Sequence, residues 1–169
     1  MKKRRSTLSV LFFSLLALIS ADVLAITASE YAVVINLSGR QRMLTQKMSK
    51  EMLLVASGIE AEKNRAALAQ TSSLFDTTLK GLRDGDPAVG LPATDSSVTL
   101  RQLAKVDALW QPFYALVEQV VAGGPVDVAK VAESNLPLLK NMNTAVRLYE
   151  RAATKQTGKQ AGVVINLAG

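Results

Sequence analysis

No cysteine and no histidine occur among the 169 residues. Stability cannot come from disulfides, and neither an oxidising nor a reducing compartment is implied. Zinc sites built from thiolate or imidazole are excluded, and so is any nucleophile that needs a histidine base. Carboxylates are present, but no acidic cluster has the spacing of a site for a harder metal. Aromatic residues make up 5% of the chain, too few for the stacking platforms that hold single-stranded nucleic acid. Neither a catalytic constellation nor a resident cofactor or metal is expected, and nucleic acid is not an expected partner.

Long apolar runs are also scarce. The one that exists begins at Leu8, behind the basic stretch Met1-Lys2-Lys3-Arg4-Arg5, and reaches Ala21 with Ser9, Ser14 and Ser20 as its polar members. Val23-Leu24-Ala25 then offers small residues where a signal peptidase reads. The order of basic, apolar and small segments predicts a signal peptide over 1–25, cleaved after Ala25. The alternative is an uncleaved inner-membrane anchor, because extension to Ile26 nears spanning length, although Asp22 lies inside it. No second apolar stretch of spanning length follows. The expectation is an exported, periplasmic module rather than a two-pass receptor. The net charge of +6 falls to +3 without the leader, 16 basic against 13 acidic residues. The basic character is local: Arg40, Arg42, Lys47 and Lys50 precede Glu51.

The remaining chain reads as helices. A first helix over 29–57 has Ser29 as its N-cap and Gly58 as its stop. A second covers 61–83, with Leu68, Phe75, Leu79 and Leu82 at helical spacing, and ends at Asp84-Gly85-Asp86-Pro87. A polar loop occupies 84–97. A third helix covers 97–122, with a kink expected at Pro112, and Gly123-Gly124-Pro125 breaks the chain. A fourth covers 126–157, with Pro137 as a possible division and Leu136, Leu139, Met142, Val146, Leu148 and Tyr149 as core candidates. The fold class is therefore all-α: an antiparallel up-down four-helix bundle preceded by a signal peptide. Trp110 and the methionines Met43, Met48, Met52 and Met142 read as core residues.

The first helix has three faces on a 100° wheel. Val33, Val34, Leu37, Leu44, Met48, Met52 and Val55 form the core stripe. Asn36, Arg40, Met43, Lys47 and Leu54 form a second, and Tyr31, Ile35, Ser38, Arg42, Gln46, Ser49 and Leu53 a third. The third stripe is apolar at its ends with small or polar groups between, which suits a helix–helix contact. Ile35, Ser38, Ser49 and Leu53 are the expected dimer interface. This places Arg42 and Gln46 near a two-fold axis, where an anion between two guanidinium groups would relieve their repulsion. The ordinary alternative is that the basic run is a solvated face.

The opening of this helix recurs. Val33-Val34-Ile35-Asn36-Leu37-Ser38-Gly39 returns 130 residues later as Val163-Val164-Ile165-Asn166-Leu167-Ala168-Gly169. A period near one domain length suggests tandem domains rather than a solenoid. The organisation expected is 1–25 signal peptide, 26–157 four-helix domain and 158–169 a tail restarting the helix-one motif.

Ile35-Asn36-Leu37-Ser38-Gly39-Arg40-Gln41-Arg42-Met43-Leu44-Thr45-Gln46-Lys47-Met48-Ser49-Lys50 resembles the signature helix of PilJ-type domains, the N-terminal domains of type IV pili methyl-accepting chemotaxis transducers. It resembles more loosely the sensor domain of NarX-type nitrate/nitrite kinases. Leu103-x-x-Val106-x-x-Leu109-Trp110 and Asn135-x-x-Leu138-Leu139-x-x-Met142-Asn143-x-Ala145-Val146 resemble the third and fourth family helices, so the likeness spans about 30–152. It implies a dimeric, non-catalytic sensor bundle. In the nitrate sensors an arginine of the first helix holds the anion between protomers. The Arg-Met pair there corresponds to Arg42-Met43, the glycine to Gly39 and a further basic residue to Lys47. Arg40-Gln41 departs from the nitrate sensors, so nitrate specificity does not carry over. The ligand-binding residues expected are Arg42, Arg40, Lys47, Gly39, Gln46 and Met43. The expected function is a periplasmic sensor-like module, binding a small ligand such as an anion at a homodimer interface and signalling to a membrane or envelope partner. The alternatives are an envelope scaffold without ligand, or a truncated member of a tandem-domain family.

Overall fold

A computed structural model describes residues 26–167, with side chains described as far as residue 158. The leader 1–25 and the last two residues of the restarted motif lie outside the described residues. Four helices account for the fold: α1 Ala28–Ala56, α2 Ala61–Asp84, α3 Ser97–Val121 and α4 Val128–Leu167. Helix α1 packs on α2 and α4, and α3 closes the opposite corner against the same two, with α1 and α3 barely touching across the diagonal. This is the four-helix bundle expected from the periodicity. Cross-helix hydrogen bonds give the antiparallel register. Gln41 and Lys47 of α1 meet Phe75 and Thr71 of α2, while Arg42 and Gln46 meet Asn143 and Asn135 of α4.

The cap of α1 is Thr27, not Ser29. Thr27 and Glu30 form a capping box: the Glu30 amide donates to Thr27 Oγ1 at 3.2 Å, and the Thr27 amide to Glu30 Oε2 at 2.6 Å. Two otherwise orphaned amides are thereby satisfied, which Ser29 could not match without a glutamate three residues on. The amide contact also holds the Glu30 carboxyl below its usual pKa.

Neither proline ends a helix. Pro112 lies inside α3 and Pro137 inside α4, so the expected division of α4 does not occur. Pro137 is exposed, and its carbonyl accepts from Asn141 Nδ2 at 2.9 Å. Packing of the surrounding turns outweighs the single backbone hydrogen bond a proline removes.

The core centres on Trp110, fully buried, with Phe75 at 4.4 Å, Tyr114 at 5.1 Å and Phe113 at 6.1 Å between ring centroids. The indole donates to Asp76 Oδ1 at 3.1 Å, so its polar edge is satisfied. Met48, Met52 and Met142 are buried as expected, but Met43 is 54% exposed and Leu136 67% exposed. The expectation that Met43 and Leu136 are core residues is therefore corrected: both sit on the outer side of their helices. Leu138 is the fully buried leucine of that turn of α4.

The α2–α3 loop is tied down rather than free. Leu91 tucks under it, 3% exposed, and Asp86 and Leu91 exchange backbone hydrogen bonds of 2.7 and 2.9 Å. Gly85 makes that return possible: its φ is +86°, and a Cβ there would meet the Ala93 amide nitrogen at 2.9 Å. Thr94 donates to the Leu82 carbonyl at 2.6 Å and lies 2.6 Å from the buried Tyr149 hydroxyl. Burial pushes that hydroxyl up to about 12.

A groove between the first and fourth helices

Helix α1 carries an unusual number of buried polar residues: Ser38, Gln41, Thr45 and Glu51. On the α2 side, Gln41 Nε2 donates to the Phe75 carbonyl at 2.8 Å. Glu51, 2% exposed, pairs with Lys47 at 2.8 Å and accepts from Thr71 at 3.2 Å. Lys47 Nζ also donates to the Thr71 hydroxyl. Lys47 is thus held by α2, and its charge is spent on a buried carboxylate.

The α4 side is different. Gly39, Arg42, Met43 and Gln46 of α1 face Leu136, Leu139, Lys140 and Asn143 of α4 across an open groove of about 710 Å³. Arg42 is half-buried, and its Nη1 donates to Asn143 Oδ1 at 2.8 Å. Gln46 Nε2 donates to Asn135 Oδ1 at 2.9 Å. Asn135 in turn donates to the Thr45 carbonyl at 2.9 Å and to the Ser49 hydroxyl. These bonds clasp the two helices below the groove.

The charge is one-sided. Arg42 and Lys140 stand on opposite walls, and no carboxylate lines the groove. Among the described residues neither cation has a salt-bridge partner within 4.0 Å. Met43 and Leu136 form an exposed apolar rim. Gly39 forms part of the floor, where an added Cβ would meet only Arg42 Nη2, at 3.7 Å. The arrangement can attract an anion, offer it guanidinium, ammonium and amide donors, and keep apolar surface beside it.

Four of the six expected ligand residues therefore gather here: Gly39, Arg42, Met43 and Gln46. Lys47 faces α2 instead, and Arg40 is exposed and does not line the groove. Of the expected dimer residues, Ser38 is fully buried within the protomer and has no surface to offer a second copy. Its hydroxyl donates to the Ile35 carbonyl at 3.2 Å. Ile35 packs partly on the core, and Ser49 is engaged with Thr45 and Asn135, while Leu53 stays 43% exposed. The physical reason is that a bundle helix has two neighbours. Its buried arc is wider than the apolar stripe, and the third stripe lies against α4. Lys140 and Asn143 were not assigned to a site from sequence. Their 3-residue spacing, with Leu136 one turn before Lys140, marks a stripe opposite the buried Leu138, Met142, Ala145 and Tyr149.

Comparison with known proteins agrees with the helical fold. The family described as "Type IV pili methyl-accepting chemotaxis transducer N-term" (PilJ) matches residues 26–136. The methyl-accepting chemotaxis protein McpN of Pseudomonas aeruginosa is 29% identical over 120 residues. That stretch is 70% of this chain but 22% of the chemoreceptor, so the chain spans about a fifth of that relative. The solved ligand-binding domain of the P. aeruginosa nitrate receptor McpN superposes with a TM-score of 0.64 at 29% identity, covering 72% of this chain and 96% of that one.

Proposed function

The chain belongs to the PilJ family of type IV pili chemotaxis transducer N-terminal domains, and from that premise we propose that it binds a small anion in the α1–α4 groove, with Arg42 as principal contact. It is a non-catalytic sensor-type module. The observation that carries the reading is a half-buried guanidinium held by a neutral amide, with a second cation opposite and no carboxylate in the groove. A planar oxyanion can take paired hydrogen bonds from such a fork. The similarity to the ligand-binding domain of a nitrate receptor supports an anion as the ligand class.

The exposed rim supports a second copy of the chain as the cover of the groove. Met43, Leu53 and Leu136 offer the apolar surface that Ser38 and Ser49 do not. Export through the segment 1–25 would place the module in the periplasm, where a membrane or envelope protein reads its bound state.

The test is thermal unfolding of the full chain with nitrate and with other small anions at constant ionic strength. A ligand at 100 times its Kd adds about 2.7 kcal/mol of stability. Arg42→Ala should remove that increment without unfolding the bundle. Loss of one charged hydrogen bond of this kind costs about 1.5–3 kcal/mol. An unchanged response in Arg42→Ala moves the site elsewhere, and no response to any anion favours a scaffold. Sedimentation with and without anion tests the covering copy.

A further inference from the structure

We propose that the groove takes an organic carboxylate with an apolar body of several carbons, its head shared by Arg42 and Lys140 and its body laid over Gly39 between Met43, Leu136 and Leu139. The inference rests on the anion reading above and names the ligand class of that site. Three observations carry it.

The first is size. A groove of about 710 Å³ lies within the roughly 300–1,000 Å³ typical of organic-ligand sites, and a bare inorganic oxyanion would fill little of it.

The second is the distribution of chemistry. The cations stand on opposite walls, and the amides of Gln46 and Asn143 accompany them. The rest of the lining is Gly39, Met43, Leu136 and Leu139, with no acid among them. A purely inorganic anion would leave that apolar lining wet. A carboxylate with a short hydrocarbon body would cover it while keeping both charges solvated by its head.

The third is the rim and floor. Met43 and Leu136 are among the most exposed large apolar side chains described, at 54% and 67%, and both border this groove. Methionine is flexible enough to fold over bodies of different length. Gly39 leaves open the space beneath, since nothing but the Arg42 guanidinium approaches a Cβ at that position.

The experiment is isothermal titration calorimetry on the full chain with nitrate, acetate, butanoate, hexanoate and hexan-1-ol at one ionic strength. Affinity should rise along the carboxylates by up to about fourfold per methylene, the increment of a buried CH₂. At least a tenfold gain is expected from acetate to hexanoate. Hexan-1-ol, with the body but no charged head, should bind at least tenfold more weakly than hexanoate. Lys140→Ala should weaken hexanoate at least fivefold. Gly39→Leu, which puts a side chain over the floor where the body would lie, should flatten the dependence on chain length.

A flat carboxylate series with intact nitrate binding overturns this inference and leaves the anion site standing. Equal binding of hexan-1-ol and hexanoate overturns the shared charged head. Carboxylate binding unaffected by Arg42→Ala, or no binding by any anion, overturns the underlying site as well.

Discussion

Lys47 provides the sharpest separation of scaffold from site, because its charge is committed to Glu51 rather than to the groove. In Lys47→Met the Glu51 carboxylate keeps its burial, 2% exposed, and the Thr71 hydroxyl, but loses its cation at 2.8 Å. Removing one partner of a fully buried pair costs about 3–5 kcal/mol. Lys47 is 42% exposed, so water already screens the pair, and the expected loss is about 2–3 kcal/mol. Urea unfolding followed by far-ultraviolet circular dichroism measures it directly. With a slope of about 2 kcal/mol per molar, the midpoint should fall by about 1 M. The double variant Lys47→Met/Glu51→Leu, which replaces the pair by apolar groups, should return to within about 1 kcal/mol of the parent. The anion-induced stabilisation should survive in both variants. A single variant as stable as the parent, or a double no better than the single, would refute the buried-charge account. Loss of anion response would return Lys47 to the ligand.

Four further outcomes are expected. Tyr149 is neutral when folded to about pH 12 but ionises near pH 10 when unfolded, so its stabilisation is complete below pH 10 and lost as pH rises toward 12. Alkaline unfolding should show a loss on the order of 2 kcal/mol that is absent in Tyr149→Phe. Gly39→Ala should raise the stability of the unliganded protein by about 0.5–1 kcal/mol in urea, because the floor admits a methyl and alanine is the better helix former. Ser38→Trp should destabilise the protomer by more than about 3 kcal/mol in the same assay, since it overpacks a site with no exposure, rather than yield a folded monomer. Mass spectrometry of protein recovered from the cell envelope should find Ile26 at the N-terminus; an intact Met1 on membranes would favour the anchor.

Helical periodicity carried most of the fold. Leu68, Phe75, Leu103, Trp110 and Phe113 recur at intervals that admit little besides a buried helical face, and all five are buried. The errors lie where periodicity is silent. Leu136 and Leu138 are both leucines two residues apart, so composition cannot say which turns inward; packing against neighbouring helices decides. Gln41 belongs to none of the three stripes of α1, yet it is fully buried because it reaches a carbonyl of α2. Arg42 and Met43 were legible through the helix-one signature, whereas Lys140 required knowing which face of α4 meets α1. Lys47 does not line the groove because a lysine's destination depends on the acid it finds, and Glu51 lies one turn along the same helix.

The antiparallel seam between α1 and α4 has a mechanical consequence. The start of α1 and the residues near 158 of α4 share one pole, so opposed pulls on those two points peel the seam rather than shear it. Peeling loads hydrogen bonds one at a time, and the order follows from register. Arg42–Asn143 lies nearer that pole and opens first; the Asn135 clasp on Thr45 follows. An occupied groove would stiffen the first of these steps. Tension across the two helices and occupancy of the groove are then conjugate: each should be measurable as a shift in the other, with rupture force rising on ligand and affinity falling under load.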